Sequence, residues 1–418
     1  MKEQKENKKN GKKKSSLPDE PVNFSFPKME AYLNDFYQFK YNEVTNEIEY
    51  KKNSEPKFQT LDDMQINSIY IDYRKQKIKF GLKDFERLLY SSFTPRYNPF
   101  VDYFNELPQW DGTDYVEQLC NYVKVVGNNE QERFYNQTKK MLLRTLACAI
   151  DDTFFNKQIF LLYGDAQNQY KTSFLRNLVP KKLEKYTTEH FNPAGEKDNA
   201  IAMTENLIIN IDELGNMLKF ELNKLKSIIS MLTVKIRLPF GKRAISIPRR
   251  ASFVASTNIK EFLTDVTGNV RWICFHVDSI DENYRQLNMD KVWAQIYHLY
   301  NQDTEMQITR QEMIQNEDVN SRYQQQTAEM EMINKYFSQG TKNDSEFMTA
   351  TDIVNHLSML VTNSIRLNPV MIGRAMRYFN FQQDEKRNDE KKYPEKGYWI
   401  NCSCKLCTEK ITLANALN

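Results

Sequence analysis

Glycine is scarce in this chain, 12 of 418 residues, where about 7% is usual. Collagen-like and glycine-rich architectures are thereby excluded, and each glycine at a turn or loop carries more information than usual. Long apolar runs are also missing. The stretch from Met141 to Ile150 is interrupted by Arg144 and falls far short of the ~18 residues a membrane span needs. Neither sign of charge dominates: 58 Lys and Arg stand against 55 Asp and Glu, a net +3, so nucleic-acid contact must come from local patches rather than a polycation. The six cysteines, Cys120, Cys148, Cys274, Cys402, Cys404 and Cys407, follow no leader and lack the spacing of a secreted disulfide framework, which predicts a soluble protein of a reducing cytoplasm.

What is present suffices for a core. Hydrophobic residues make up 40% of the chain and aromatic residues 12%, which excludes wholesale disorder, and at about 150 residues per domain the length predicts two or three domains. Residues 1–23 hold Lys2, Lys5, Lys8, Lys9 and Lys12 to Lys14 without an apolar centre and are expected to form a disordered basic tail. Residues 24–130 mix alternating runs such as Ile69 to Tyr73 with amphipathic stretches such as Leu82 to Ser91, which suggests a small α/β or mostly helical domain. A new helix is expected from Asp114.

Residues 131–300 carry the clearest pattern. One amphipathic helix over 131–150 is followed by four short apolar runs, Ile159 to Tyr163, Leu207 to Ile211, Ser252 to Ala255 and Trp272 to Val277, the signature of buried strands in an open α/β sheet. Residues 301–345 read as a helical, Gln/Glu-rich linker. In 346–418, helices over Thr351 to Leu360 and Pro369 to Phe379, a charged loop over Asp384 to Glu395 and a returning strand at Gly397 to Asn401 predict a winged-helix-like unit. Arg374 and Arg377 on its last helix are either DNA-phosphate contacts or a solvated face.

The first apolar run leads into Gly164, Gln167, Asn168, Gln169, Tyr170, Lys171, Thr172 and Ser173. A phosphate-binding loop needs backbone N–H groups facing the phosphates, a lysine as point charge and a hydroxyl for Mg²⁺, and Lys171 and Thr172 meet the last two needs. The usual glycine positions hold Asp165 and Tyr170, so by itself the segment is equally an ordinary strand-to-helix turn. The second run ends in Asp212 and Glu213, where ligands of open α/β sheets bind. Asp212 would hold Mg²⁺ through water and Glu213 would polarise the attacking water; a helix N-cap pair is the plainer alternative. The third run ends in Ser256, Thr257 and Asn258, where an amide would orient water or the γ-phosphate, and Arg271 precedes the fourth, placed to reach a γ-phosphate of its own or a neighbouring chain. Between them, Val234 to Ile247 reads as a β-hairpin whose tip, with Phe240, Lys242 and Arg243, suits either single-stranded DNA or solvent.

The order of these motifs resembles the virulence-associated protein E family, primase/helicase-like NTPases of prophages and mobile elements related to superfamily-three helicases. The matching pieces are Tyr97 to Phe100, Leu107 to Asp114, Gln167 and Asn168 with Lys171 to Arg176, Asn210 to Leu214, Arg249 to Phe253, Ser256 to Asn258, Phe262 and Leu263, and Asp265 to Asn269 with Arg271. The resemblance implies an AAA+-like P-loop NTPase core that assembles as a homo-oligomeric ring, binds ATP and Mg²⁺ and translocates on single-stranded DNA. Lys171 and Thr172 then form Walker A, Asp212 and Glu213 Walker B, and Asn258 the sensor. Arg271 would act across a subunit interface, and Lys242 and Arg243 would contact DNA in the ring's channel. Further implied partners are origin duplex DNA and a primase or other replication proteins, with no membrane. Tyr170 stands where the family usually has glycine, and Val270 where it has the first of two arginines. Primer synthesis is not expected, because no such constellation occurs in the first 130 residues. The alternative function is a DNA-binding regulatory or phage-interference protein with a degenerate, weakly active ATPase core, and a third is a structural subunit of a mixed ring.

Cys402, Cys404 and Cys407 offer three thiolates with no histidine near them in sequence, so a closed zinc site lacks a partner and incidental cysteines are expected. His190, His276, His298 and His356 show no ligand or triad spacing.

Overall fold

The computed structural model describes residues 26–76, 80–166, 169–237, 243–263, 269–360, 366–387 and 393–404. They form two units that part between Asp102 and Tyr103. In the first, α1 (Phe26–Phe36), α2 (Asp63–Lys75) and α3 (Leu82–Leu89) accompany β1 (Tyr37–Asn42), β2 (Glu47–Lys52), β3 (Gln59–Thr60) and β4 (Arg96–Tyr97). The sheet order is β3-β2-β1-β4, with β1 and β2 an antiparallel hairpin. The alternating run at Ile69 to Tyr73 is not a strand but the middle of α2. Asp62 accepts from the Gln65 amide and Gln65 reciprocates on the Asp62 N–H, a capping box that starts a helix whatever the β-branched residues prefer. Ile69 and Tyr73, four apart, then share the buried face.

In the second unit α4 (Pro99–Asn105), which spans the boundary, is followed by α5 (Tyr115–Asn121), β5 (Val123–Val125) and α6 (Glu130–Ile150). Asp114 caps α5 by accepting from the Glu117 amide. Residues 103–130 belong with this unit: the Val116 amide donates to Gln295 Oε1 at 2.9 Å, and β5 pairs antiparallel with β12 (Trp272–Ile280). Between α6 and β12 come β6 (Ile159–Tyr163), α7 (Lys171–Asn177), β7 (Thr187–Thr188), α8 (Glu196–Glu205), β8 (Ile208–Ile211), α9 (Lys219–Ile228), β9 (Thr233–Ile236), β10 (Ile245–Pro248) and β11 (Ser252–Thr257).

The main sheet has the order β5-β12-β6-β11-β8-β7. All but the edge strand β5 run parallel, and β6, β8 and β11 are buried at every residue, as strands covered on both faces must be. Arg249 and Arg250 anchor the start of β11: Arg249 donates to the Asn156 carbonyl, and Arg250 to the Ala149 carbonyl at 2.8 Å.

After β12 come α10 (Met289–Tyr300), α11 (Arg310–Ser321) and α12 (Ala328–Tyr336). The segment 301–345 divides between two cores. Val319 and Tyr323 join the cluster of the main sheet, whereas Met330, Ile333 and Phe337 pack with Ile353, Ile372 and Ile400. This last cluster is built by α12, β13 (Phe337–Gln339), β14 (Glu346–Met348), α13 (Ala350–Ser358), α14 (Pro369–Tyr378), β15 (Gln383–Lys386) and β16 (Glu395–Cys402). Three strands pair with β16. The charged stretch from Asp384 starts as β15 rather than as a loop; all four of its residues are exposed, so no apolar alternation marked it.

Candidate functional site

Because β11 lies between β6 and β8 and all three are parallel, their carboxyl ends deliver three loops side by side. The loop after β6 begins at Gly164, whose amide donates to the Thr257 carbonyl at 3.2 Å. A Cβ there would meet Gln169 Oε1 and lie 3.1 Å from Lys171 Nζ, so a larger residue at this position would displace the Gln169 side chain from its hydrogen bond to Lys171. Asp165 accepts from the Tyr163 hydroxyl and meets His276 Nε2 at 3.1 Å. The Tyr163 hydrogen bond, with help from His276, holds its carboxyl below the usual range. Asp165 therefore ties the loop to β6 and β12.

Lys171 opens α7 and is 6% exposed. Its Nζ donates to Asn258 Oδ1 at 2.7 Å, the Ala166 carbonyl at 3.2 Å, Gln169 Oε1 at 3.2 Å and the Gly164 carbonyl at 3.3 Å. All four are neutral oxygens, so the charge is solvated by the protein but not neutralised. Burial pushes its pKa below the ordinary lysine value, while Asp212 and Asp165 pull it back upward. Next to it, Thr172 Oγ1 donates to Asp212 Oδ1 at 2.8 Å, lies 2.9 Å from Ser256 Oγ, and Ser256 donates to the same Asp212 oxygen at 2.7 Å. Glu213 lines the cleft with a left-handed backbone, φ 52°, and accepts from Asn216 at 2.8 Å. Two hydroxyls and a carboxylate form a hard oxygen donor set of the kind that suits Mg²⁺ and its water shell.

These residues line a cleft of about 660 Å³. Ser173 and Arg285 also line an adjoining cavity of about 970 Å³ that includes Arg176, Thr188, His190 and Tyr284. Arg176 is held there by a bidentate pair with Glu189 at 2.7 and 2.8 Å. Tyr170 is 40% exposed, with φ 57°, the left-handed region that glycine enters at little cost. The Arg285 guanidinium stands 5.4 Å from its ring.

Of the residues singled out from sequence, Gly164, Gln169, Tyr170, Lys171, Thr172, Ser173, Asp212, Glu213 and Asn258 come together around this cleft. Arg271 does not. It sits at the amino end of β12, where Trp272 is level with Ile159 at the start of β6, and its guanidinium donates to Ser230 Oγ at 3.3 Å. Arg243 is exposed, and β9 and β10 pair antiparallel as a hairpin, with Ile236 opposite Ile245. Gln167, Asn168, Phe240 and Lys242 lie outside the described residues. Sequence reasoning passed over Ser256 as a ligand-side hydroxyl and missed Arg285 altogether. Ser256 directly precedes the Thr-Asn that was noted, but Arg285 follows β12 in a stretch with no motif to mark it.

His356, which has no ligand spacing in the sequence, is brought by the fold to two of the cysteines. His356 Nε2 lies 3.1 Å from Cys404 Sγ and 3.3 Å from Cys402 Sγ, although 48 and 46 residues separate them in sequence.

A model of the virulence-associated protein E-like domain matches residues 104–325, more than half of the chain, starting within two residues of the unit boundary. The chain belongs to that family. None of the curated proteins matches it. Similar solved structures include the apo structure of the NrS-1 C-terminal region, 10% identical with a TM-score of 0.49 over 89% of this chain and 98% of that one. An A-form apo structure of the same region gives 9% and 0.47 over the same shares. No helix among the described residues is long and apolar enough to cross a membrane.

Proposed function

We propose that this chain is an ATP- and Mg²⁺-dependent DNA helicase or replication ATPase of a prophage or mobile genetic element, acting as a homo-oligomeric ring on single-stranded DNA. The observation that carries this reading is the convergence of Lys171, Thr172, Asp212, Glu213 and Asn258 in one cleft at the ends of adjacent parallel strands, inside the domain that defines the family. On this reading the main sheet is an AAA+-like P-loop core, and α12 to β16 a winged-helix-like domain.

Mg²⁺, when bound, would neutralise charge on the β- and γ-phosphates, and the Thr172, Asp212 and Ser256 oxygens would hold it directly or through water. Lys171 would exchange its four neutral partners for charged phosphate oxygens, a gain because a hydrogen bond between two charged groups is stronger than one to a neutral oxygen. Asn258, now on Lys171 at 2.7 Å, would be released to orient the γ-phosphate or the attacking water. Glu213 would accept that water's proton. The larger cavity beside Ser173 and Arg176 is sized for the nucleoside. Arg271, distant from its own cleft, would serve a neighbour's, and Arg285 would serve its own. The β9–β10 hairpin would carry Arg243, with Phe240 and Lys242, to single-stranded DNA.

ATP hydrolysis with and without single-stranded DNA tests the reading. Turnover is expected to need Mg²⁺ and to rise with DNA. Glu213→Gln should lose about a hundredfold or more in rate, the usual contribution of a general base, while still binding ATP. Wild-type rates in that variant would overturn the assignment of the cleft; no turnover in either protein, with DNA binding intact, would favour the regulatory alternative.

A further inference from the structure

The last cluster of elements brings together three side chains of metal-ligand type, none of which lines the cleft. Strand β16 ends at Cys402, which pairs with Phe337 of β13. The next residue, Ser403, is pinned by its amide and hydroxyl to the Tyr336 carbonyl at 2.8 and 3.3 Å. Residues two apart on an extended segment face the same side, so Cys402 and Cys404 are presented together. Helix α13 places His356 against them, and the three ligand atoms all lie within 4.8 Å of one another. Cys404 is 1% exposed, and the other two are half-buried.

We propose that His356, Cys402 and Cys404 hold a structural zinc ion. Ligand atoms on a tetrahedral zinc, with Zn–N near 2.1 Å and Zn–S near 2.3 Å, lie about 3.6 Å apart. The observed imidazole-to-sulfur separations of 3.1 and 3.3 Å are within about half an ångström of that geometry, so an ion enters with a small outward movement of side chains. The donor set is soft sulfur and imidazole, which selects zinc over the oxygen-seeking Mg²⁺ of the cleft. Binding converts the two thiols to thiolates and releases their protons to solvent while the imidazole binds neutral, so affinity falls with falling pH. The ion would join α13 to the end of β16 across a long loop, which restricts the unfolded chain. A unit of the size of residues 328–404 is one where a core alone supplies only a few kcal/mol.

The full chain, purified under reducing conditions without chelator, should contain about one zinc per molecule by mass spectrometry of the metal. His356→Ala, Cys402→Ser and Cys404→Ser should each lower that content about tenfold or more without touching the cleft. Because a variant that fails to fold would also lose metal, wild-type chain stripped with chelator is titrated with Co²⁺. Tetrahedral thiolate ligation gives strong visible bands and a sulfur-to-cobalt charge-transfer band, removed by one equivalent of zinc. Substoichiometric zinc together with no thiolate–cobalt band would overturn the site, and either result is read without reference to ATP hydrolysis.

Discussion

Tyr170 occupies, at φ 57°, a conformation that costs an L-residue about 1 kcal/mol or more and glycine almost nothing. The loop thus has, at a tyrosine, a backbone conformation suited to glycine. Tyr170→Gly relieves this strain but adds glycine's chain entropy, about 0.5–1 kcal/mol, and removes an exposed cation–π contact with Arg285 worth a similar amount. These contributions offset one another, so stability should change by less than about 1 kcal/mol in a denaturant melt, whereas ATP should bind several-fold more tightly. Loss of ATP binding in this variant would show that the ring itself holds nucleotide. Asp212, Glu213 and Asn258 were legible because they follow the ends of apolar runs, and Lys171 and Thr172 because they close the loop that follows another. Ser256, Arg285 and the His356 cluster were not, since their meaning comes from neighbours far away in the chain: Ser256 meets Thr172, 84 residues off, and His356 meets Cys404, 48 residues off.

At the scale of elements, periodicity located four strands of the main sheet, β6 to the residue and β8, β11 and β12 to within three residues, because a strand covered on both faces must be apolar; it did not mark the short edge strands β5 and β7. It failed where another force governed. In α2 the Asp62–Gln65 capping box decided the structure; in β15 pairing with β16 decided it, with all four residues exposed. In the β9–β10 hairpin the alternation holds in β9, where only Val234 is buried, but not in β10, whose Ile245 and Ser246 are both exposed; the exposed Arg243 tests whether the element touches DNA. Arg243→Ala should weaken single-stranded DNA binding equally for all sequences and reduce the slope of log affinity against log salt by about 0.7, one phosphate contact on a single strand. An unchanged slope in a filter-binding or anisotropy titration would place this arginine off the DNA.

For the whole molecule, the two units have separate cores: Leu33, Tyr73 and Phe85 belong to one, and Leu161, Ile209 and Phe253 to the other. Every residue of the cleft and the whole family match lie beyond residue 103. A chain beginning at Asn98, which keeps α4 intact, should therefore fold cooperatively and retain Mg²⁺-dependent ATP binding, as circular dichroism and calorimetric titration would read; failure to fold would show that the first unit completes the second. The order of Lys171, the Asp212–Glu213 pair and Asn258 could be read along the chain, because turn chemistry and apolar periodicity are local properties of a few consecutive residues. The insertion of β11 between β6 and β8 was decided only in three dimensions, and it alone brings Ser256 to Thr172 and Asp212. The meeting of His356 with Cys402 and Cys404 was decided in the same way. Strand order and helix docking depend on which buried faces fit together, and side chains distant in the chain become neighbours only once that packing is complete.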